Sequence, residues 1–300
     1  MNVVAGARDW CADFLEELLE PAALAWSHEV HDEIAAGVTD TRFGALISLA
    51  SRHTKRRRAQ PGVERLAAAR ELLDGWNPEY WMALDVLRVS LVLARHDLES
   101  QTAVSAIQGA FQYGDVGELC ALYRALALLP QPEAWVWQAG EGCRSNMTEV
   151  FEAVACDTPF PAAHFDDVAW RSLVVKAVFV GAPLWRVSGL DQRLSEDLAR
   201  AALDLADERR SAGRPVQPEL WLCLGSHGGE RALASIEREL SAGPALGRRA
   251  AALALARAGQ ADRLPNLTQS ESDPVVLETI ERALAGRSNQ NEFQSLALVP

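Results

Sequence analysis

Residues 141–161, EGCRSNMTEVFEAVACDTPFP, combine side chains that could bind and activate a polar ligand. Arg144 presents a planar fork of donors that suits a carboxylate or a phosphate. Glu149 and Glu152 are candidate catalytic residues, either of which could act as a general acid or base, and the amide of Asn146 could orient a ligand. The spacing of the apolar residues predicts that these groups lie on one amphipathic helix over about residues 132–156.

Asn146 is the unusual residue of this predicted helix. The helical spacing places it between Cys143 and Val150 on the apolar side, where an unsatisfied amide costs about 1–3 kcal/mol. Two interpretations are open. Either Asn146 bonds a neighbouring helix end beside an exposed charged stripe, or Arg144, Asn146 and Glu152 line a polar pocket between helices.

A second set of cations follows further along the chain. Lys176 lies in LVVKAVF with apolar residues on both sides, so its ammonium group either reaches water along its stem or faces a pocket. Arg171 and Arg186 add positive charge to the same region. An anion site is one interpretation, and pairing of Lys176 with a carboxylate of residues 149–157 is the other. The candidate ligand-binding residues are Arg144, Asn146, Lys176, Arg186 and Arg171.

Metal chemistry has weaker support. His28 and Asp32 in HEVHDE, with His31 beside them, have a spacing that can bind zinc, but cysteine partners are missing and a surface helix is the simpler interpretation. Acidic helix pairs can hold Mg²⁺ against a diphosphate, which makes magnesium a possible cofactor. The aspartates that could form such a site lie in HFDDVAW and LDLADERR. They lack the Asp-Asp-x-x-Asp spacing of a class I terpene cyclase, so helix capping is the alternative interpretation. The candidate metal ligands are Asp166, Asp167, Asp204 and Asp207.

The composition favours an all-α fold. The chain has 300 residues, of which 49% are hydrophobic and 23% charged, so it can bury a substantial core. Alternating β-branched residues between turn signals are almost absent. Pro21 predicts a break or kink in the first helical stretch, and Gly75, Gly114 and Gly213 are typical helix stops. Short alanine-rich helices from residue 230 onward predict an antiparallel array with HEAT-like helix pairs, especially in the C-terminal third.

Residues 1–286 are predicted to form a single helical domain, and residues 287–300, which are polar and lack capping signals, are predicted to be a flexible tail. The net charge of -12 argues against nucleic acid as a partner. The basic residues 52–58 are interpreted as solvated surface, with an anionic partner as the alternative. No segment is long and apolar enough to predict a transmembrane helix. The five cysteines are scattered and odd in number, which indicates reduced thiols and a cytoplasmic location.

Several blocks of the sequence resemble the EboA-domain family. They are Glu141-Gly-x-Arg-Ser-Asn-Met-Thr148, Phe151-Glu-Ala153, Lys176-Ala177, Gly189-Leu-Asp191 and Arg214-Pro-x-x-Pro-Glu-Leu-Trp221. The resemblance spans about residues 119–221 and extends more loosely to ISLASRHTKR. It implies a cytoplasmic helical protein encoded in bacterial gene clusters beside a membrane prenyltransferase of the UbiA type. Such clusters are associated with making or exporting specialised metabolites, and the resemblance carries over no catalytic residue.

The leading functional prediction is a protein of specialised metabolism that binds, and could transform, a phosphorylated or prenyl-linked small molecule in a polar pocket. The pocket would be built from residues 132–156 and 168–180. Two alternatives stay open: a non-catalytic helical scaffold for a membrane prenyltransferase or transporter, and an atypical metal-dependent enzyme resembling a terpene cyclase.

Overall fold

The computed structural model describes residues 2–296. These residues contain no β-strand, and the one isolated bridge pairs Arg58 with Met82. The prediction of an all-α fold is therefore confirmed. The helices group into two compact units, unit 1 (Met1–Phe165) and unit 2 (Asp166–Pro300). The organisation of residues 1–286 as a single domain stays a prediction.

The α-helices of unit 1 are separated by short connections, several of which contain a turn of 3₁₀ helix. The break predicted at Pro21 is present, because the proline is the first residue of the second helix. The helices are α1 (Val3–Leu18), α2 (Pro21–Ala36), α3 (Asp40–Leu49), α4 (Val63–Leu72), α5 (Ala83–Leu93), α6 (Gln101–Tyr113), α7 (Val116–Ala125), α8 (Val136–Arg144), α9 (Thr148–Ala155) and α10 (Phe160–His164).

The core of unit 1 is built around α5, in which every residue is buried. This helix packs against α1, α2, α3 and α7. Its sequence ALDVLRVSLVL buries Asp85, Arg88 and Ser90 together with the apolar residues. Because buried polar groups must find partners, the neighbouring helices supply them: Arg124 on α7 donates to Asp85 at 2.7 Å, and Arg88 donates to the backbone oxygen of Ile47 at 3.1 Å.

Unit 2 has longer helices and a buried 3₁₀ segment, Pro218–Cys223, whose residues 220–223 are inaccessible to solvent. This segment packs against α12 and α14. The helices are α11 (Asp167–Val180), α12 (Glu196–Ser211), α13 (Gly229–Ala242), α14 (Ala245–Arg257), α15 (Leu264–Thr268) and α16 (Pro274–Leu284).

The C-terminal helices pack as neighbours along the chain. Helix α14 contacts both α13 and α16, and only residues 243–244 separate α13 from α14. The helix pairs expected in this third of the chain are therefore present, whereas a HEAT-like repeat stays a prediction.

Part of the predicted flexible tail has regular structure. Gln290–Leu296 forms a 3₁₀ helix in which Phe293 and Leu296 are buried. The two apolar residues are three positions apart, which is the 3₁₀ period, so both face the same side. Residues 297–300 lie outside the described residues.

A nearly buried ion pair in unit 2 provides a test of the packing. Arg210 on α12 donates to Glu239 on α13 at 3.1 Å, and it also bonds the hydroxyl and backbone oxygens of Ser235. We expect Arg210→Ala to lower the free energy of unfolding by about 3 kcal/mol, because the Glu239 carboxylate is left buried and unpaired. Urea unfolding measures the change.

Arg200→Ala is the matched control, because Arg200 is also an arginine of α12 but its side chain is 67% exposed. Its loss should cost less than about 0.5 kcal/mol. Equal effects of the two substitutions would contradict a structural role for the Arg210–Glu239 pair.

Candidate functional site

A groove between α11 and α12 brings together two of the predicted anion-binding residues. It has a volume of about 500 Å³, and both Arg171 and Lys176 line it. Helix α11 is fixed at both ends, since Asp166 accepts a hydrogen bond from the Ala169 N–H at 2.7 Å and Gly181 closes the helix in the left-handed conformation. The lining residues are Arg171, Ser172, Val175, Lys176, Phe179, Ala201, Leu205 and Glu208.

The groove has cationic and apolar side chains and one carboxylate, that of Glu208. The guanidinium of Arg171 lies 3.3 Å from Asp197, which also pairs with Arg200 at 2.6 Å. Lys176 is half-buried, and its neighbour in the groove, Phe179, is 67% exposed. The groove therefore combines two cations and the carboxylate of Glu208 with a large exposed aromatic ring.

Arg186 belongs to a different feature of unit 2, the 3₁₀ turn Leu184–Arg186. It is half-buried and does not line the α11/α12 groove. The turn is held from two sides. Glu219 accepts hydrogen bonds from the backbone N–H groups of Leu184 and Trp185, and the side-chain amide of Gln290 donates to the backbone oxygens of residues 184, 185 and 187 at 2.8–3.1 Å.

Glu219, which lies in the segment Pro218–Cys223 and bonds this turn, has a perturbed pKa. Burial raises the pKa of its carboxyl from the ordinary 4.5 to about 7, while the two backbone N–H groups and Arg186 act in the opposite direction. Glu219 belongs to the block Arg214-Pro-x-x-Pro-Glu-Leu-Trp221, but its position in the sequence gives no sign of burial. Sequence reasoning therefore missed it.

The predicted helix over residues 132–156 is wrong, because the chain is broken between α8 and α9. Ser145 has extended backbone angles, and its hydroxyl accepts a hydrogen bond from the Met147 N–H at 3.1 Å. Serine side chains commonly compete with helical hydrogen bonds in this way. Asn146 lies in the break and is exposed, so the cost expected for a buried amide does not arise.

The other predicted residues of this region occupy separate positions in unit 1. Arg144 ends α8, is exposed and pairs with Glu141 on the same helix. Glu149 on α9 pairs with Arg56 at 2.5 Å, and Glu152 is half-buried on the same helix. The ligand-binding and catalytic roles assigned to these side chains stay predictions.

The four candidate metal ligands have other partners in unit 2. Asp166 caps α11, and Asp167 pairs with Arg193 at 2.8 Å. Asp204 and Asp207 both pair with Arg231. Within residues 2–296 there is no group of three or more His, Cys, Asp or Glu side chains arranged to hold a metal ion. The metal-binding roles of these four aspartates, and the metal-dependent alternative that rests on them, stay predictions.

Comparison with known proteins assigns the family. Residues 7–225 match the family described as metabolite traffic protein EboA. This chain belongs to the EboA family. No curated protein and no solved structure matches it. The resemblance that the sequence blocks indicated is confirmed.

The EboA match includes the α11/α12 groove and Glu219 but ends before α13. Some residues within the match have hydrogen-bond partners in the part of the chain that follows residue 225. Asp191, in the block Gly189-Leu-Asp191, accepts from Arg257 on α14, whose side chain is only 8% exposed. None of the helices within residues 2–296 is long and apolar enough to cross a membrane.

The EboA chain has a second polar cavity, of about 630 Å³, between α1, α2 and α5. His31 lines it, with Nδ1 2.6 Å from the Ser27 backbone oxygen and Nε2 3.0 Å from the Ser90 hydroxyl. Because a backbone oxygen only accepts, Nδ1 carries the proton. Burial lowers the pKa of His31, so the neutral ring is favoured. The sequence grouped His28, His31 and Asp32 for their metal-like spacing, and in the structure His31 is half-buried while His28 and Asp32 are exposed.

The raised pKa of Glu219 predicts a pH-dependent stability. A carboxyl with a folded pKa of about 7 stabilises the fold fully below its unfolded value of 4.5, and this contribution is lost as the pH rises towards 7. We expect Glu219→Gln, whose amide oxygen still accepts the two N–H groups, to gain about 2–3 kcal/mol over the natural protein between pH 4.5 and pH 8. Urea titrations across this range measure the difference.

Glu281→Gln, at an exposed position of α16, is the control and should change the pH profile little. A Glu219→Gln profile parallel to that of the natural protein would show that the carboxyl titrates near its ordinary pKa.

Proposed function

We propose that this EboA protein binds an amphipathic anionic metabolite, a phosphorylated or prenyl-linked intermediate of specialised metabolism, in the α11/α12 groove. The observation that carries the proposal is that Arg171 and Lys176 line the same groove as Val175, Phe179 and Leu205. The family description, a metabolite traffic protein, supports a role in handling a small molecule.

The cations of the groove suit a phosphate or diphosphate. The guanidinium of Arg171 can donate two parallel hydrogen bonds to phosphate oxygens, and the Lys176 ammonium adds a compact positive charge. The present partner of Arg171, Asp197, is about half exposed, and Arg200 also pairs with it. Ion pairs between exposed groups contribute little free energy, so an incoming phosphate can replace this contact.

The apolar residues of the groove suit a hydrocarbon tail. Val175 and Phe179 are four residues apart on α11, and Leu205 faces them from α12. Burial of apolar surface contributes about 25 cal/mol per Å², so covering the exposed ring of Phe179 favours an isoprenoid chain over a bare phosphate. An isoprenoid diphosphate satisfies both parts of the groove.

The predicted residues outside the groove would have secondary roles. Arg144 and Asn146 would contact a ligand in unit 1, Arg186 would add charge in unit 2, and Glu149 or Glu152 would exchange a proton if the bound molecule is transformed. Because the α11/α12 groove brings two of the predicted residues together, we propose ligand binding there as the primary activity.

A non-catalytic helical scaffold for a membrane enzyme is the second candidate. The observation that favours it is the exposed Trp137, whose ring is 68% accessible on α8. Exposed tryptophans are enriched in protein interfaces. This candidate predicts protein partners rather than a small-molecule ligand.

Ligand binding can be tested with farnesyl diphosphate, inorganic diphosphate and farnesol, each with and without Mg²⁺. We expect farnesyl diphosphate to raise the melting temperature most, because it alone has both the anion and the tail. The double variant Arg171→Ala/Lys176→Ala should weaken its binding about tenfold or more, a loss of about 1.4 kcal/mol, measured by calorimetry.

Arg200→Ala is the matched control, since it also removes a cation that pairs with Asp197 but does not line the groove. Its affinity should stay within about twofold of the natural protein. Equal weakening by the control, or no stabilisation by any of the three compounds, would reject the groove as the binding site and favour the scaffold.

A further inference from the structure

Unit 1 carries a concentrated basic loop, residues 51–58, with the sequence SRHTKRRR. These eight residues include five arginine or lysine side chains and no acidic one, on a chain with a net charge of -12. The loop has a defined backbone. It begins with the 3₁₀ turn Ala50–Arg52 and ends in the bridge between Arg58 and Met82, where the Ala83 N–H donates to the Arg57 oxygen at 2.8 Å.

Most of this positive charge is not neutralised. Arg57 donates to the backbone oxygen of Leu18 and Arg58 to that of Tyr80, and a backbone oxygen satisfies a donor without cancelling its charge. Arg52 and Lys55 are exposed and have no carboxylate partner within residues 2–296. Because the backbone is held in place, the exposed cations are presented together rather than dispersed by a mobile segment.

Arg56 connects the basic loop to the start of α9 through its ion pair with Glu149. Two residues before Glu149, Met147 is 54% exposed. On the preceding helix, Trp137 and Arg144 are seven residues apart, so they share one face, and both are exposed. The exposed cations of the loop are thus connected, through the Arg56–Glu149 pair, to the exposed apolar side chains of the α8–α9 connection and of α8, where Arg144 is neutralised by Glu141.

We propose that this surface, comprising the exposed cations Arg52, Lys55, Arg57 and Arg58 and the exposed apolar side chains Trp137 and Met147, docks the protein on a membrane that contains anionic phospholipids. Arginine and lysine are attracted to the negative potential of such a surface, and exposed Trp and Met side chains enter the boundary between headgroups and acyl chains. This inference concerns unit 1 and is independent of ligand binding in the α11/α12 groove.

The same residues fit a lipid surface better than a nucleic acid. A phosphate backbone offers nothing to the exposed apolar side chain of Met147. The aromatic ring within the basic loop, His53, is already stacked on Trp26 at 3.9 Å, so the exposed ring of this surface, Trp137, lies outside the loop on α8 and not among the cations that would follow a phosphate backbone. The negative charge on the remainder of the chain does not prevent docking, because at physiological salt charges more than about 8 Å from the surface are largely screened.

The test is co-flotation of the full chain with vesicles of phosphatidylcholine alone and with vesicles that also contain about 30 mol% phosphatidylglycerol, an anionic lipid. We expect binding to the anionic vesicles only, with about tenfold or greater loss in the double variant Arg52→Glu/Lys55→Glu and at about 0.5 M NaCl. Trp137→Ala should also weaken binding, although it leaves the charge unchanged.

The matched control is Arg238→Glu/Arg287→Glu, which changes the net charge by the same amount at exposed positions of unit 2. Equal loss in this control would attribute binding to net charge and overturn the proposal. Absence of binding to anionic vesicles, equal binding to neutral vesicles, or tighter binding to single-stranded RNA than to anionic vesicles would overturn it as well. Circular dichroism of each variant verifies that it is folded.

Discussion

The structure of unit 1 depends on the complete burial of α5, a helix that carries two charged side chains and a serine. A buried charge without a partner costs several kcal/mol, so the positions of α2, α3 and α7 are constrained by the hydrogen bonds that they supply to α5. Helix α7 provides Arg124 for Asp85, the end of α3 provides a backbone oxygen for Arg88, and α2 provides His31 for Ser90. Apolar packing alone would allow these helices to slide, because it is non-directional. The polar contacts of α5 fix their register and thereby also the cavity that His31 lines.

In unit 2, polar groups also need partners from other segments, and some of these partners lie after the last residue that matches the family. The residues that match the EboA family include Asp191 and the turn held by Glu219, and the partners Arg257 and Gln290 come from the segment after residue 225. The C-terminal helices therefore contribute to the conformation of matched residues rather than forming a separate addition. Removing them would leave polar groups of the matched region without their bonds, which predicts that unit 2 requires its C-terminal segment to fold.

The limits of sequence reasoning in this chain follow from the range of the interactions involved. Helix starts and stops were predictable where a local signal exists, as at Pro21 and Gly114, because a cap depends on a few neighbouring residues. The break at Ser145 was missed, since the apolar spacing continues through it and only the serine side chain bond reveals it. For the α11/α12 groove, the sequence grouped Arg171 and Lys176 as cations of one region but named residues 132–156 as the other side of their pocket. The helix that faces α11 in this groove is α12, which no local pattern reveals. The burial of Glu219 has no local signature.

The geometry of the groove bears on whether binding or catalysis is its primary role. Catalysis by general acids and bases relies on donors and acceptors held in place where water is excluded, because their electrostatic effect is strongest there. The α11/α12 groove has the opposite character, since Phe179 is largely exposed and Arg171 has a partly exposed partner. Exposed contacts of this kind form and break at small cost in free energy. A protein that moves a metabolite must release it as well as bind it, and moderate affinity allows this while very tight binding slows dissociation. For the ligand proposed above, an open groove with exchangeable charge contacts suits reversible binding better than a chemical step.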